Sequence, residues 1–150
     1  MHIMIYADGC CRPNPGQASY GAVLHAPSGD VEIMGFIGDG TSNTAEWTAL
    51  ISALRKAAEI GATSLEVRMD SQLVIEQASG RWKPKQAKMR ELCAEAHVLA
   101  KLFDEITYTW IPREMNRHAD WLANCALNNP VAQEQVPVLV AAVAPFFGDI

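Results

Sequence analysis

The sequence predicts an α/β domain: a mixed five-stranded sheet flanked by helices. Three observations predict it. Residues 2–37 carry three successive runs of strand-like alternation separated by Pro- and Gly-containing turns. The remainder switches to helical periodicity, broken by two short β-rich runs, and no segment repeats. Three consecutive strands imply an antiparallel meander, whereas strands alternating with helices imply parallel additions through right-handed crossovers.

The elements follow in order. In residues 2–9, Ile3, Ile5 and Ala7 alternate with Met4, Tyr6 and Asp8. Apolar groups on both faces mark a central strand. Arg12 to Gly16 reads as a turn, and Ser19–Ala26 and Val31–Ile37 as a hairpin around Pro27-Ser28-Gly29-Asp30. A helix follows, with Trp47, Leu50, Ile51, Leu54 and Ala58 on one face, Asn43 as its cap and Gly61 as its end. Ser64–Met69 is a strand, Gln72–Ser79 a short helix stopped by Gly80, and Gln86–Phe103 a longer helix with Met89, Leu92, Cys93, Ala96 and Ala100 along one stripe. Ile106–Ile111 is the fifth strand, ended by Pro112, and Asn116–Leu127 the last helix. Residues 1–129 form one domain, and 130–150 an apolar, Pro-containing tail expected to pack on this chain or to contact another protein.

Composition narrows the class. Hydrophobic residues make up 49% and charged residues 19% of 150, as in a globular chain with a real core. No apolar run approaches the ~20 residues of a membrane span, and the N-terminus lacks a signal-peptide pattern. A cytoplasmic protein without membrane contact or organic cofactor is expected. Cys10, Cys11, Cys93 and Cys125 lack zinc-ligand spacing and read as reduced thiols. The net charge of −5 argues against a phosphate-rich partner, unless the acids converge on a metal site and the cations cluster. Arg81, Lys83, Lys85, Lys88 and Arg90 do cluster.

Four acids stand at telling places. Asp8 lies near the end of the first strand and Asp70 ends the fourth, so parallel neighbours would set them side by side at the carboxyl edge where α/β sheets bind ligands. Glu46 shares a stripe with Leu50 and Leu54, in what reads as the first turn of its helix, and Asp120 lies in the first turn of the last helix, beside its buried stripe. Each has a plain structural alternative: turn former for Asp8, capping box from Asn43 for Glu46, helix cap for Asp70, dipole partner for Asp120. Four carboxylates together repel and raise one another's pKa. Hard divalent cations relieve that repulsion, and a pair of them can hydrolyse a phosphodiester.

Four motifs in this order resemble type I ribonuclease H. They are Tyr6-Ala7-Asp8-Gly9 with Asn14-Pro15-Gly16 and Tyr20-Gly21-Ala22; Thr41-Ser42-Asn43-Thr44-Ala45-Glu46; Val67-Arg68-Met69-Asp70-Ser71-Gln72; and Asn116-Arg117-His118-Ala119-Asp120 with Leu122-Ala123. The resemblance spans about residues 3–128. It implies a ribonuclease H-like fold and cleavage of the RNA strand of RNA–DNA hybrids to 5′-phosphate and 3′-hydroxyl ends. It implies two Mg²⁺ ions, with Mn²⁺ a substitute, held by Asp8, Glu46, Asp70 and Asp120. It implies hybrid contacts from Cys11, Asn14, Asn43 and Gln72, and a DNA-phosphate contact from Thr41. Asn and Gln both donate and accept, as reading a 2′-hydroxyl requires.

Two departures stand out. The family's basic protrusion is reduced to Arg81-Trp82-Lys83-Pro84-Lys85, in which Trp82, Lys83 and Lys85 are expected on the DNA backbone. The loop that carries a catalytic histidine is missing, because Trp110-Ile111-Pro112-Arg113-Glu114-Met115-Asn116 runs straight into the helix. This resembles the shortened archaeal and bacterial form. His118, Arg113 and Arg117 are the auxiliary candidates. Residues two apart on a helix diverge, which separates His118 from Asp120. His2, His25 and His97 read as structural or exposed. The alternatives are a nuclease of this fold acting on another nucleic acid, and a non-catalytic hybrid-binding module.

Overall fold

A computed structural model describes residues 1–129. The elements are β1 (His2–Arg12), β2 (Gly16–Ala26), β3 (Gly29–Gly40), α1 (Ser42–Glu59), β4 (Ser64–Met69), α2 (Gln72–Ala78), α3 (Ala87–Ala100), β5 (Glu105–Trp110) and α4 (Arg117–Asn128), with a 3₁₀ turn at Arg113–Met115. They form one five-stranded sheet in the order β3-β2-β1-β4-β5. The β1–β2 and β2–β3 pairs are antiparallel, and β1–β4 and β4–β5 are parallel. This is the expected ribonuclease H-like α/β architecture, with β1 in the middle. Among the described residues no helix is long and apolar enough to cross a membrane. The expectation of a packing or protein-contacting tail at 130–150 lies outside the described residues.

The hairpin strands are longer than their alternation suggests. The β1–β2 ladder continues through Cys10↔Ser19, Cys11↔Ala18 and Arg12↔Gln17, because paired backbone groups stay satisfied beyond the apolar stretch. The start of α1 also differs. The cap is Thr41, not Asn43: extended Thr41 accepts from Thr44 N, and the Thr44 hydroxyl accepts from Thr41 N. This reciprocal box places Glu46 in the second helical turn rather than the first. Gly61, at φ +90°, turns the chain out of α1 as expected. Helix α3 ends at Ala100 rather than Phe103.

The sheet separates two packed layers. Ile3, Ile5 and Ala7 of β1 and Leu65, Val67 and Met69 of β4 meet Trp47, Leu50 and Leu54 of α1, with α2 and α3 completing the cover. Each such fully buried large side chain contributes about 1.5–3 kcal/mol. On the other face α4 lies across β1, β2 and β3, burying Ala119, Leu122, Ala123 and Ala126. Two glycines set how closely the helices sit. A Cβ on Gly9 would lie 2.4 Å from the backbone of Ala45 and Glu46, and one on Gly21 would lie 2.5 Å from Ala123 N. Helices α1 and α4 therefore rest almost on the strand backbone, one on each face.

Candidate active site

The site forms where β1 and β4 part. Their parallel ladder ends at Tyr6↔Arg68, after which β1 continues with β2 alone and β4 stops at Met69. Asp8 and Asp70 stand at the mouth of this split. Asp8 pairs with Gly21, the residue under α4, so its side chain faces α4 and Asp120 in that helix's first turn. Glu46 arrives from the α1 side, where Oε1 accepts from Gly9 N at 2.9 Å. All four acids line one cavity of about 400 Å³, together with Gly9, Cys10, Cys11, Arg12, Ser42, Arg113 and Asn124.

Three of the four acids receive a neutral donor. Gly9 N–H serves Glu46, the Asn116 amide serves Asp70 Oδ1 at 2.7 Å, and the Asn124 amide serves Asp120 Oδ1 at 3.2 Å. Asp8 is 4% exposed and faces the other acids, Asp120 and Glu46. Burial, then the charges of Glu46 and Asp70, push its carboxyl up to about 10. Burial and Asp70 push Glu46 up to about 8, opposed by Gly9 N–H, Asp8 and the Arg113 charge. Without a counter-ion the cavity therefore holds protons. Among the described residues no three His, Cys, Asp or Glu side chains already surround one point closely enough to ligate an ion. The donor set nevertheless fits a hard divalent cation. It is all oxygen, one acid lacks any neutral donor, and Mg²⁺ takes one or two carboxylates with waters and phosphate oxygens rather than a closed protein cage.

A second groove of about 540 Å³ adjoins the start of α1 and is lined by Asn43, Leu73, Gln77, Trp82, Lys83, Lys85, Gln86 and Met89. It gathers four of the expected hybrid contacts, with Trp82 45% exposed. Gln72 is exposed at the first position of α2. Asn14 Oδ1 accepts from Ser42 N at 3.0 Å, tying the β1–β2 turn to α1. The Thr41 hydroxyl is engaged in the helix cap. Cys11 is buried, its single S–H shared between the Pro13 and Gly40 carbonyls at 3.3 and 3.4 Å, so the thiol is turned to the protein's own backbone.

Of the auxiliary candidates, only Arg113 lines the carboxylate cavity. His118 Nε2 lies 2.6 Å from Glu32 of β3, directed away from Asp120, and Arg117 is exposed. Sequence reasoning missed Asn116 and Asn124. Asparagine ahead of a helix reads as a cap, but Asn124 carried a usable signal: it stands one turn after Asp120, on the same face.

The profile of a family described as reverse transcriptase-like matches residues 6–126. A relative called Bifunctional protein Rv2228c, from Mycobacterium tuberculosis, is 45% identical over 131 residues, covering 85% of this chain and 36% of that protein. Ribonuclease HI of Halobacterium salinarum is 42% identical over 126 residues, covering 83% of this chain and 63% of that protein. The chain thus spans about a third of the mycobacterial relative and under two thirds of the archaeal one. The solved N-terminal RNase H domain of Rv2228c superposes with a TM-score of 0.83 at 43% identity, covering 89% of this chain and 98% of that one. LC11-RNase H1, solved in complex with an RNA/DNA hybrid, superposes with a TM-score of 0.79 at 36% identity, covering 86% and 99%. The family profile, the sequence identities and these superpositions agree: the chain belongs to the type I ribonuclease H family.

Proposed function

We propose that this chain is a divalent-metal-dependent endonuclease that hydrolyses the RNA strand of RNA–DNA hybrids, leaving 5′-phosphate and 3′-hydroxyl ends. The observation that carries the reading is Asp8: buried, surrounded by three acids, and answered by no neutral donor among the described residues. Such a carboxylate is unfavourable unless a cation joins it. The hybrid bound by LC11-RNase H1 supports the choice of substrate.

Asp8, Glu46, Asp70 and Asp120 would hold two Mg²⁺ ions, or Mn²⁺ in their place. The metals, when bound, supply activation of the attacking water and neutralisation of the developing phosphate charge. The protein supplies the rest. Gly9 N–H and Asn124 fix the orientation of Glu46 and Asp120. Arg113 sets a positive charge at the cavity wall, where the scissile phosphate would lie. The RNA strand crosses the carboxylate cavity, with Asn14, Asn43, Gln72 and the backbone at Cys11 facing the 2′-hydroxyls that distinguish RNA from DNA. Trp82, Lys83 and Lys85 hold the DNA strand in the adjoining groove, and Thr41 stands beside its phosphates.

Strand-labelled hybrid, double-stranded RNA and double-stranded DNA, each with EDTA, Mg²⁺ or Mn²⁺, test the reading. The expected result is internal cleavage of RNA in the hybrid alone, only with metal, and none by Asp70→Asn. Cleavage of another duplex would assign a different nuclease, and hybrid binding without turnover would make the chain a recognition module.

A further inference from the structure

We infer that Asn116 is a positioning residue: its side chain is a wedge between β1 and β4 that sets the distance between the Asp8 and Asp70 carboxylates, and with it how well the site grips metal. The inference rests on the proposed metal-dependent reaction.

Asn116 is 1% exposed and sits immediately before α4. An asparagine there ordinarily folds back and accepts from the first-turn amides. This one makes no cap bond. Its Nδ2 donates to Ala7 O at 2.9 Å and to Asp70 Oδ1 at 2.7 Å. Both partners are acceptors, so the amide has one sensible orientation. Among the described residues its Oδ1 is left buried without a partner. The side chain thus forgoes a cap bond and leaves one acceptor unpaired while serving Ala7 O and Asp70.

The location explains the arrangement. Ala7 is the first β1 residue past the last β1–β4 rung, Tyr6↔Arg68. Its carbonyl flanks Asp8, and the other bond falls on Asp70 itself. One side chain thus replaces the missing rung and braces both strand ends. Without it, Asp70 can rotate and the split can change width. Mg²⁺ needs near-ideal octahedral geometry and suffers most from a loosened site.

The test compares wild type, Asn116→Ala, Asn116→Ser and a control, Ser19→Ala. The control removes another buried bond to α4, from the Ser19 hydroxyl to Ala123 O at 2.6 Å, and neither residue lines the carboxylate cavity. Three quantities are read: Mn²⁺ binding to the substrate-free protein by electron paramagnetic resonance, the Mg²⁺ concentration at half-maximal hybrid cleavage, and KM for hybrid at saturating metal. The Asn116 variants are expected to bind Mn²⁺ at least tenfold more weakly and to need at least tenfold more Mg²⁺. Their KM for hybrid should stay within threefold, and Mn²⁺ should restore more of their activity than Mg²⁺. Ser19→Ala should lower Tm with both metal readouts unchanged. Asn116 variants that lower Tm yet keep wild-type metal affinity, or a control that shifts metal affinity equally, overturn the inference. Wild-type protein that cleaves no hybrid with any metal overturns instead the reading on which it rests.

Discussion

Asp8→Asn should make the metal-free protein more stable while abolishing hybrid cleavage. Asp8 ionises near pH 4 in an unfolded chain, but in the cavity burial and neighbouring acids raise it to about 10, and Glu46 to about 8. Between those limits the folded state holds protons that the unfolded state has released, so stability falls as pH rises. Holding the Asp8 proton at pH 8 costs about 6 kcal/mol. Asparagine at position 8 leaves Glu46, Asp70 and Asp120 in mutual repulsion, so it recovers about 1–3 kcal/mol. For a domain of this size that is a rise in Tm of about 3–12 °C. Calorimetry in EDTA between pH 5 and 8.5 measures it. Wild-type Tm should fall steadily across that range and Asp8→Asn should fall less, with the largest gap at the alkaline end. Mg²⁺ should then raise wild-type Tm more than that of the variant. Equal slopes in EDTA would refute the crowded, desolvated cavity from which the metal argument starts.

Three further outcomes are expected. Lys83→Ala with Lys85→Ala should raise KM for hybrid, leave kcat within about twofold, and reduce the salt slope of binding by about one to two. His118→Ala should keep cleavage within about twofold of wild type and change stability by no more than about 1 kcal/mol, since its exposed partner Glu32 lies outside the cavity; a loss of turnover would restore His118 to the chemistry. Gly21→Ala should cost about 2–3 kcal/mol in urea unfolding, because its Cβ would press on the α4 backbone at Ala123.

Much of this site was legible in the sequence because its acids sit at positions fixed by periodicity. Alternation put Asp8 opposite the Ile3, Ile5 and Ala7 face, and strand-helix order implied that β4 adds in parallel, while only the observed ladder makes it the neighbour of β1. What stayed hidden depends on contacts between distant segments. Thr41 and Asn43 are both competent caps, and only the extended backbone at 41 decides between them. Asn116 lies in a recognised motif, yet its bonds to Ala7 and Asp70 reach across 109 and 46 residues. Cys11 alternates into the buried layer with Ala18 and Ala45, which its place beside a turn concealed. The charge balance misleads when averaged, since the acids gather in one cavity and the lysines line another.

Gly9 has a practical corollary for anyone wishing to alter this protein. Any substituent there would collide with the α1 main chain, and the collision would fall on the stretch that presents Glu46 to its anchoring amide. A saturation library over the pocket should therefore return glycine alone at position 9, although that residue offers no side chain to substrate or ion. Diversity aimed at new specificity belongs on the lysine-bearing groove, at the exposed positions Trp82, Lys83, Lys85 and Gln86.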